Sequence, residues 1–132
     1  MRLHVLAALL LAVPVHAAPP LAGTWRNPQG SVEIAMEPCG RRLCGTVVWA
    51  NGRAQDDAAA GGTERLVGTQ LFRELVADGQ GRWQGDVFVP DLGRTVSGTM
   101  MLVDAQTLQV DGCVIPGLIC QTQLWTRTRP RR

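Results

Sequence analysis

Lysine and tyrosine are absent from the 132-residue sequence, and its two histidines, His4 and His16, both lie within the first seventeen residues. Beyond that point no Ser-His-Asp or Cys-His nucleophile can be assembled. A His-ligated zinc and a lysine Schiff base are excluded on the same ground. General acid–base work would fall to Asp, Glu or an unpaired Cys. Every basic residue is Arg, and from residue 18 onward twelve Arg face eleven acidic residues. That balance is not the footprint of a nucleic-acid binder. Long apolar runs are also missing. The longest, Leu3 to Val15, is shorter than the roughly 20 residues a membrane-spanning helix needs.

That run has a different use. Met1-Arg2 supplies a positive start, Leu3 to Val15 is apolar apart from His4, and Val15 and Ala17 stand where a signal peptidase reads small residues. Residues 1–17 therefore read as a cleaved signal peptide, with Ala18 as the alternative cleavage point. Residues 18–132 read as one domain of about 115 residues. No Cys stands at the cleavage site to take a lipid anchor. The expected location is periplasmic or secreted.

Four cysteines remain: Cys39, Cys44, Cys113 and Cys120. In an oxidising compartment an even number points to two disulfides, and four cysteines allow three connectivities. The local pairs Cys39–Cys44 and Cys113–Cys120 each close a turn containing Gly, which suits hairpin tips. Loop entropy gives such short bridges about 2 kcal/mol each. Their spacing does not fit a zinc site. Neither a metal nor a cofactor is expected.

The remainder is rich in strand signals. From Ser31 to Glu37, Val32, Ile34 and Met36 share one face and Glu33 and Glu37 the other. Pro38 ends this run, and Thr46-Val47-Val48-Trp49 completes a hairpin. Asn51 to Thr63, with Asn51-Gly52, Asp56-Asp57, three alanines and Gly61-Gly62, reads as the longest loop. Val67 to Val76 fits either a helix or a strand, because Leu71, Phe72, Leu75 and Val76 carry helical spacing. Asp78-Gly79-Gln80-Gly81 is a turn. Trp83, Val87 and Val89 then share a face, as do Val96, Met100 and Leu102. Pro90-Asp91-Leu92-Gly93 and Asp104-Ala105-Gln106 turn the chain, and Thr107–Val110 and Gln121–Arg127 close it as a hairpin around Pro116-Gly117. Short alternating strands with frequent turns indicate a sandwich or barrel.

The order of motifs resembles a bacterial exported family, the domain of unknown function 2147. The motifs are Gly23-Thr24-Trp25, Leu43-Cys44-Gly45-Thr46-Val47-Val48-Trp49, Leu66-Val67-Gly68, and Trp83-Gln84-Gly85-Asp86-Val87 through Pro90. Gly93-Arg94-Thr95, Ser97-Gly98, Gly112-Cys113 and Trp125-Thr126-Arg127 follow. The likeness runs from Leu21 to Arg127. It implies an all-β, lipocalin-like antiparallel barrel of about eight strands in the cell envelope, and it implies no reaction. Two positions depart from the family's pattern. Val96 stands where an aromatic is common, and Asp56-Asp57 where an Asp–Asn pairing is common.

In such a barrel the inward side chains either fill the core or line a cavity. Trp49, Trp83, Met100 and Trp125 are the candidate walls of a ligand pocket, with Met36 and Met101 as further apolar lining and Trp25 packing where first and last strands meet. Asp91-Leu92-Gly93 suits a turn, and Arg94 is a partner for an acidic neighbour. Asp56, Asp57 and Glu64 read as a solvated loop rather than a cation site. Arg127, Arg129, Arg131 and Arg132 read as a solvated tail, with anionic lipid as the sharper alternative.

Three functions follow in order. The first is an envelope binding module for a small apolar or lipid-like ligand. The second is a protein-interaction or hydrolase-inhibitor barrel presenting Gly40-Arg41-Arg42 or the long loop to an envelope partner. The third is an enzyme using carboxylates alone, which needs two of them, such as Asp86 and Glu33, to converge.

Overall fold

The computed structural model describes residues 7–12, 20–115 and 118–131. The expected cleavage point at Ala17 and the Pro116-Gly117 turn lie outside them. Eight antiparallel strands follow one another round a closed barrel: β1 (Gly23–Arg26), β2 (Val32–Cys39), β3 (Arg42–Ala50), β4 (Gln70–Ala77), β5 (Arg82–Val89), β6 (Arg94–Asp104), β7 (Thr107–Ile115) and β8 (Ile119–Thr128). One helix, α1 (Gly52–Ala60), lies between β3 and β4. Each strand pairs with its sequence neighbours, and β1 pairs with β8. Of the sandwich or barrel that alternation and turn spacing indicate, the barrel implied by the family resemblance is the fold.

Both disulfides join local pairs. Cys39–Cys44 pins the β2–β3 tip and Cys113–Cys120 bridges β7 to β8. The described residues contain no free cysteine. They also contain no helix long and apolar enough to cross a membrane.

Two expectations are corrected. Asn51 to Thr63 is not an open loop. Asn51 Oδ1 accepts a hydrogen bond from the Ala54 amide at 2.8 Å, an N-cap that starts α1, whose Arg53-Ala54-Gln55 and three closing alanines are good helix formers. The Gly61 amide closes it by donating to the Asp57 and Ala58 carbonyls. The ambiguous 67–76 segment becomes β4, and a bulge explains its helical spacing. Glu74 adopts φ 47°, and the β4–β5 register shifts between Arg73 and Val76. One extra residue there lets Phe72 and Leu75, three apart, both turn inward.

The lower half of the barrel is packed solid. Trp25, Ile34, Met36, Leu43, Leu75, Met100 and Leu108 are all buried. Each contributes about 1.5–3 kcal/mol relative to exposure. At this end β8 is tied to β1 by Arg127, whose guanidinium lies 4.3 Å from the Trp25 ring centre. Arg127 donates to three carbonyls: Ala105 at 2.9 Å, Ala22 at 2.9 Å and Pro20 at 2.7 Å. Gly23 must be glycine here, because its φ is 129° and a Cβ would overlap Arg127 Nη1.

The outer wall holds a second surprise. Glu33 faces outward on β2, yet it is wholly buried. Arg26 on β1 donates to its Oε1 at 2.7 Å, and Arg131 from the C-terminal segment donates to Oε2 at 2.8 Å. The Arg131 guanidinium also stacks 3.9 Å from the Trp49 ring centre. Two of the terminal arginines are thus not a solvated tail: Arg127 and Arg131 are both structural, Arg129 is exposed, and Arg132 lies outside the described residues. Burial pushes the Glu33 carboxyl up, but hydrogen bonds and charge from Arg131 and Arg26 outweigh it and hold the group below its ordinary 4.5.

Two outcomes are expected. An acid whose native pKa is depressed stabilises the fold above its unfolded pKa and loses that contribution as pH falls through the native value. Thermal melts of the wild type should therefore lose stability as pH drops below about 4.5, and Glu33→Gln should flatten that slope while costing about 1–3 kcal/mol at neutral pH. Asp104 adds a slope of the same sign, because the Gln106 backbone amide and the Thr107 side chain hold it low, so some acid sensitivity survives in the variant. Arg127→Met should lower stability by about 1–2 kcal/mol in urea unfolding, since it keeps the packed stem but loses three hydrogen bonds, two of them solvent-exposed.

Candidate functional site

Above the packed half the barrel is hollow. The cavity holds about 960 Å³ and opens at the end carrying the β1–β2 turn, α1 and the β5–β6 turn. Its inner wall is built by alternation. Val87 on β5, Val96 on β6, Val110 and Gly112 on β7, and Gln123 and Trp125 on β8 all point inward. Leu71 and Phe72 reach it from β4, and Phe72 meets Trp125 edge-on with ring centres 5.8 Å apart. Small side chains make the space. At Gly112 an added Cβ would touch only Val96, at 3.7 Å, so this stretch of wall is bare.

The rim is polar. Asn27 holds the β1–β2 turn by accepting from the Ser31 and Val32 amides at 2.8 and 3.0 Å. Helix α1 contributes Arg53, Ala54 and Asp57 to the lining. Its C-terminus rests on the β5–β6 turn: Thr63 Oγ1 donates to the Pro90 carbonyl at 3.0 Å, and a side chain at Gly61 would overlap the Asp91 backbone. The helix therefore bridges from β3 to the β5–β6 turn across the mouth. Docking brings Asp91 near Asp57. Desolvation, and then the Asp57 charge, push the Asp91 carboxyl above its ordinary 3.8.

The sequence-selected pocket residues divide three ways. Trp125 lines the cavity. Met100 is buried below it, and Trp83 packs half-buried against the same core. Trp49 sits on the outer wall beneath Arg131. Met36 is also core, and Trp25 packs under Arg127 where β1 meets β8. The structure thus brings only Trp125 of the four to the cavity. Phe72, Val87, Val96, Val110, Gly112 and Gln123 went unselected. Alternation puts Val87 on one face with Trp83, and Val96 on one face with Met100; choosing by residue size favours Trp and Met instead.

Other candidates do not assemble. Glu33 and Asp86 lie on the non-adjacent strands β2 and β5, and both Glu33 oxygens are held by arginines. Arg94 makes no ion pair among the described residues. No group of three His, Cys, Asp or Glu fit to hold a metal occurs among them either. The Gly40-Arg41-Arg42 tip is exposed at the end of the barrel away from the cavity, where Arg42 pairs with Glu74 at 3.5 Å.

The rim carboxylates give a measurable outcome. A raised native pKa means that ionising Asp91 costs stability, a cost absent below its unfolded pKa and incurred as pH rises through the native value. Asp57→Asn should move the Asp91 titration, followed by carboxyl NMR shifts, down toward 3.8 and leave only the desolvation part of the upward shift. It should also raise the melting temperature slightly at neutral pH.

A solved structure with this architecture is protein HP1028 from the human pathogen Helicobacter pylori, described as belonging to the lipocalin family. It superposes with a TM-score of 0.66, covering 82% of each chain at 12% sequence identity. That likeness establishes a shared lipocalin-like fold. No curated protein matches the chain. The model of one family matches residues 23–127, nearly all of the barrel. The chain therefore belongs to the bacterial family described as "Uncharacterized protein conserved in bacteria (DUF2147)".

Proposed function

We propose that this protein is an exported binding module that holds one small, mainly apolar, lipid-like molecule in the upper half of its barrel. The cavity carries the reading. At about 960 Å³ it is at the upper end of the roughly 300–1,000 Å³ usual for small-molecule sites. Its composition matches such sites as well, with aliphatic and aromatic walls and a few polar groups at the rim and on β8. The lipocalin description of the Helicobacter pylori neighbour supports the same class. Export rests on residues 1–17, with cleavage after Ala17, and is supported by the two disulfides. The periplasm or the medium outside the cell is then where the ligand is met.

Native mass spectrometry of protein purified from its own periplasm tests this directly. The native mass should exceed the denatured mass by a defined small-molecule increment. Gly112→Leu should abolish the increment, because the new side chain grows into bare cavity, while near-UV circular dichroism and melting temperature stay close to wild type. Equal native and denatured masses, together with no binding of added fatty acids or phospholipids, would overturn the reading. The denatured mass also reports the cleavage site, and a deficit of four hydrogens against the reduced form reports both disulfides.

A further inference from the structure

The apolar wall of the cavity carries one polar group whose orientation is fixed by its neighbour. Gln123 and Trp125 both face inward on β8, two residues apart. The indole Nε1–H of Trp125 donates to Gln123 Oε1 at 3.0 Å. An indole nitrogen can only donate, so it decides which end of the amide it faces. Reversing the amide would set two donors against each other. The Gln123 carbonyl is therefore held toward Trp125, and its Nε2 amino group is turned away. Among the described residues Nε2 has no hydrogen-bond partner. No fully buried side-chain nitrogen or oxygen among them lacks a partner. Nε2 is consequently accessible, and the space beside it is the cavity.

Other polar groups in the lining differ in kind. Asn27 and Asn51 are committed to backbone amides of the rim. Arg53, Asp57 and Asp91 stand at the mouth, on α1 and the β5–β6 turn, and Gln121 is exposed at the mouth end of β8. Gln123 lies further in, opposite Val110 across the β7–β8 pair and next to the Trp125–Phe72 edge contact. A ligand filling this space covers Nε2, and a covered donor left unpaired loses affinity.

Resting on the binding-module reading above, we infer that Gln123 selects ligands with an acceptor oxygen on the apolar body, such as the carbonyl of a ketone, ester or acyl chain, and that Trp125 positions it for this. A bare hydrocarbon leaves the donor unmet. A ligand presenting only N–H groups at this depth opposes it. The specificity is therefore for acyl-type amphiphiles over hydrocarbons of the same shape.

The test uses two isosteres and the full mature protein. One is methyl nonyl ketone. The other is the hydrocarbon in which a methylidene group replaces the ketone oxygen. Both are titrated as competitors of N-phenyl-naphthylamine fluorescence against wild type, Gln123→Met and Trp125→Phe. Comparing the affinity ratio between variants cancels the different hydration of the two competitors in water. Gln123→Met should lower the ketone-to-hydrocarbon preference about fivefold, by removing one hydrogen bond, while hydrocarbon affinity holds. Trp125→Phe keeps an aromatic ring on the wall but removes the indole donor and frees the amide to turn, so the preference should fall there too, with Gln123 still in place. Unchanged ratios in both variants, with both competitors still binding, would overturn the role of Gln123 and leave the binding module standing. If neither the probe nor either competitor binds the wild type, the binding-module reading fails and this inference fails with it.

Discussion

A barrel loses its free strand edges only where the first strand meets the last, and here that junction is short. Three residue pairs join β1 to β8. Main-chain pairing over so few residues is a weak tie. Arg127 reinforces it from inside, lying across Trp25 and donating to carbonyls that precede β1 and that turn β6 into β7. Gly23 gives the guanidinium its room. Arg131 reinforces the same region from outside, where it and Arg26 share the Glu33 carboxylate. Both clamps need the segment after β7 to return to the start of the chain, so closure and the arginine-rich terminus are one device.

Closing one end firmly is what permits the other end to be hollow. Large side chains concentrate in the lower layers, where Trp25, Met36, Met100 and Leu108 interdigitate. Above them, beside Phe72 and Trp125, the inward positions are valines, glutamines and Gly112, too small to meet at the axis. An eight-stranded barrel is just wide enough for side chains to fill, so modest residues at one level leave a ligand-sized space. Helix α1 then spans the mouth on a contact only a glycine allows, at Gly61. The cavity therefore has an apolar interior, a polar rim and, on β8 below the exposed Gln121, the oriented amide of Gln123.

How much of this could be read beforehand differs by element. Strand alternation placed Val96, Met100 and Leu102 on one face, and Trp83, Val87 and Val89 on one face, as the barrel has them. Alternation was blind in two places. The bulge at Glu74 adds a residue, so the period of β4 mimics a helix. The helix α1 is short and flanked by glycines, so its turn-like ends masked an Asn-capped, alanine-rich centre. Size misled the choice of pocket walls. Most of the large aromatic and sulfur side chains fill the lower barrel or its outer wall, and of the four selected only Trp125 reaches the hollow.

The sequence by itself determined the class of protein. Strand period, turn residues and cysteine spacing are local, and they specify hairpins and tips and favour local disulfides, while the pairing itself came from the structure. It also determined what chemistry is absent, because a side chain not encoded cannot act. Tertiary structure alone decided the rest. Whether Trp49 faces cavity or solvent, whether Glu33 is solvated or buried under two arginines, and which end of Gln123 meets the lumen all depend on residues far away in the chain or on another side chain's donor. Those are properties of closure, set by which strands meet around the ring, and no local pattern carries them.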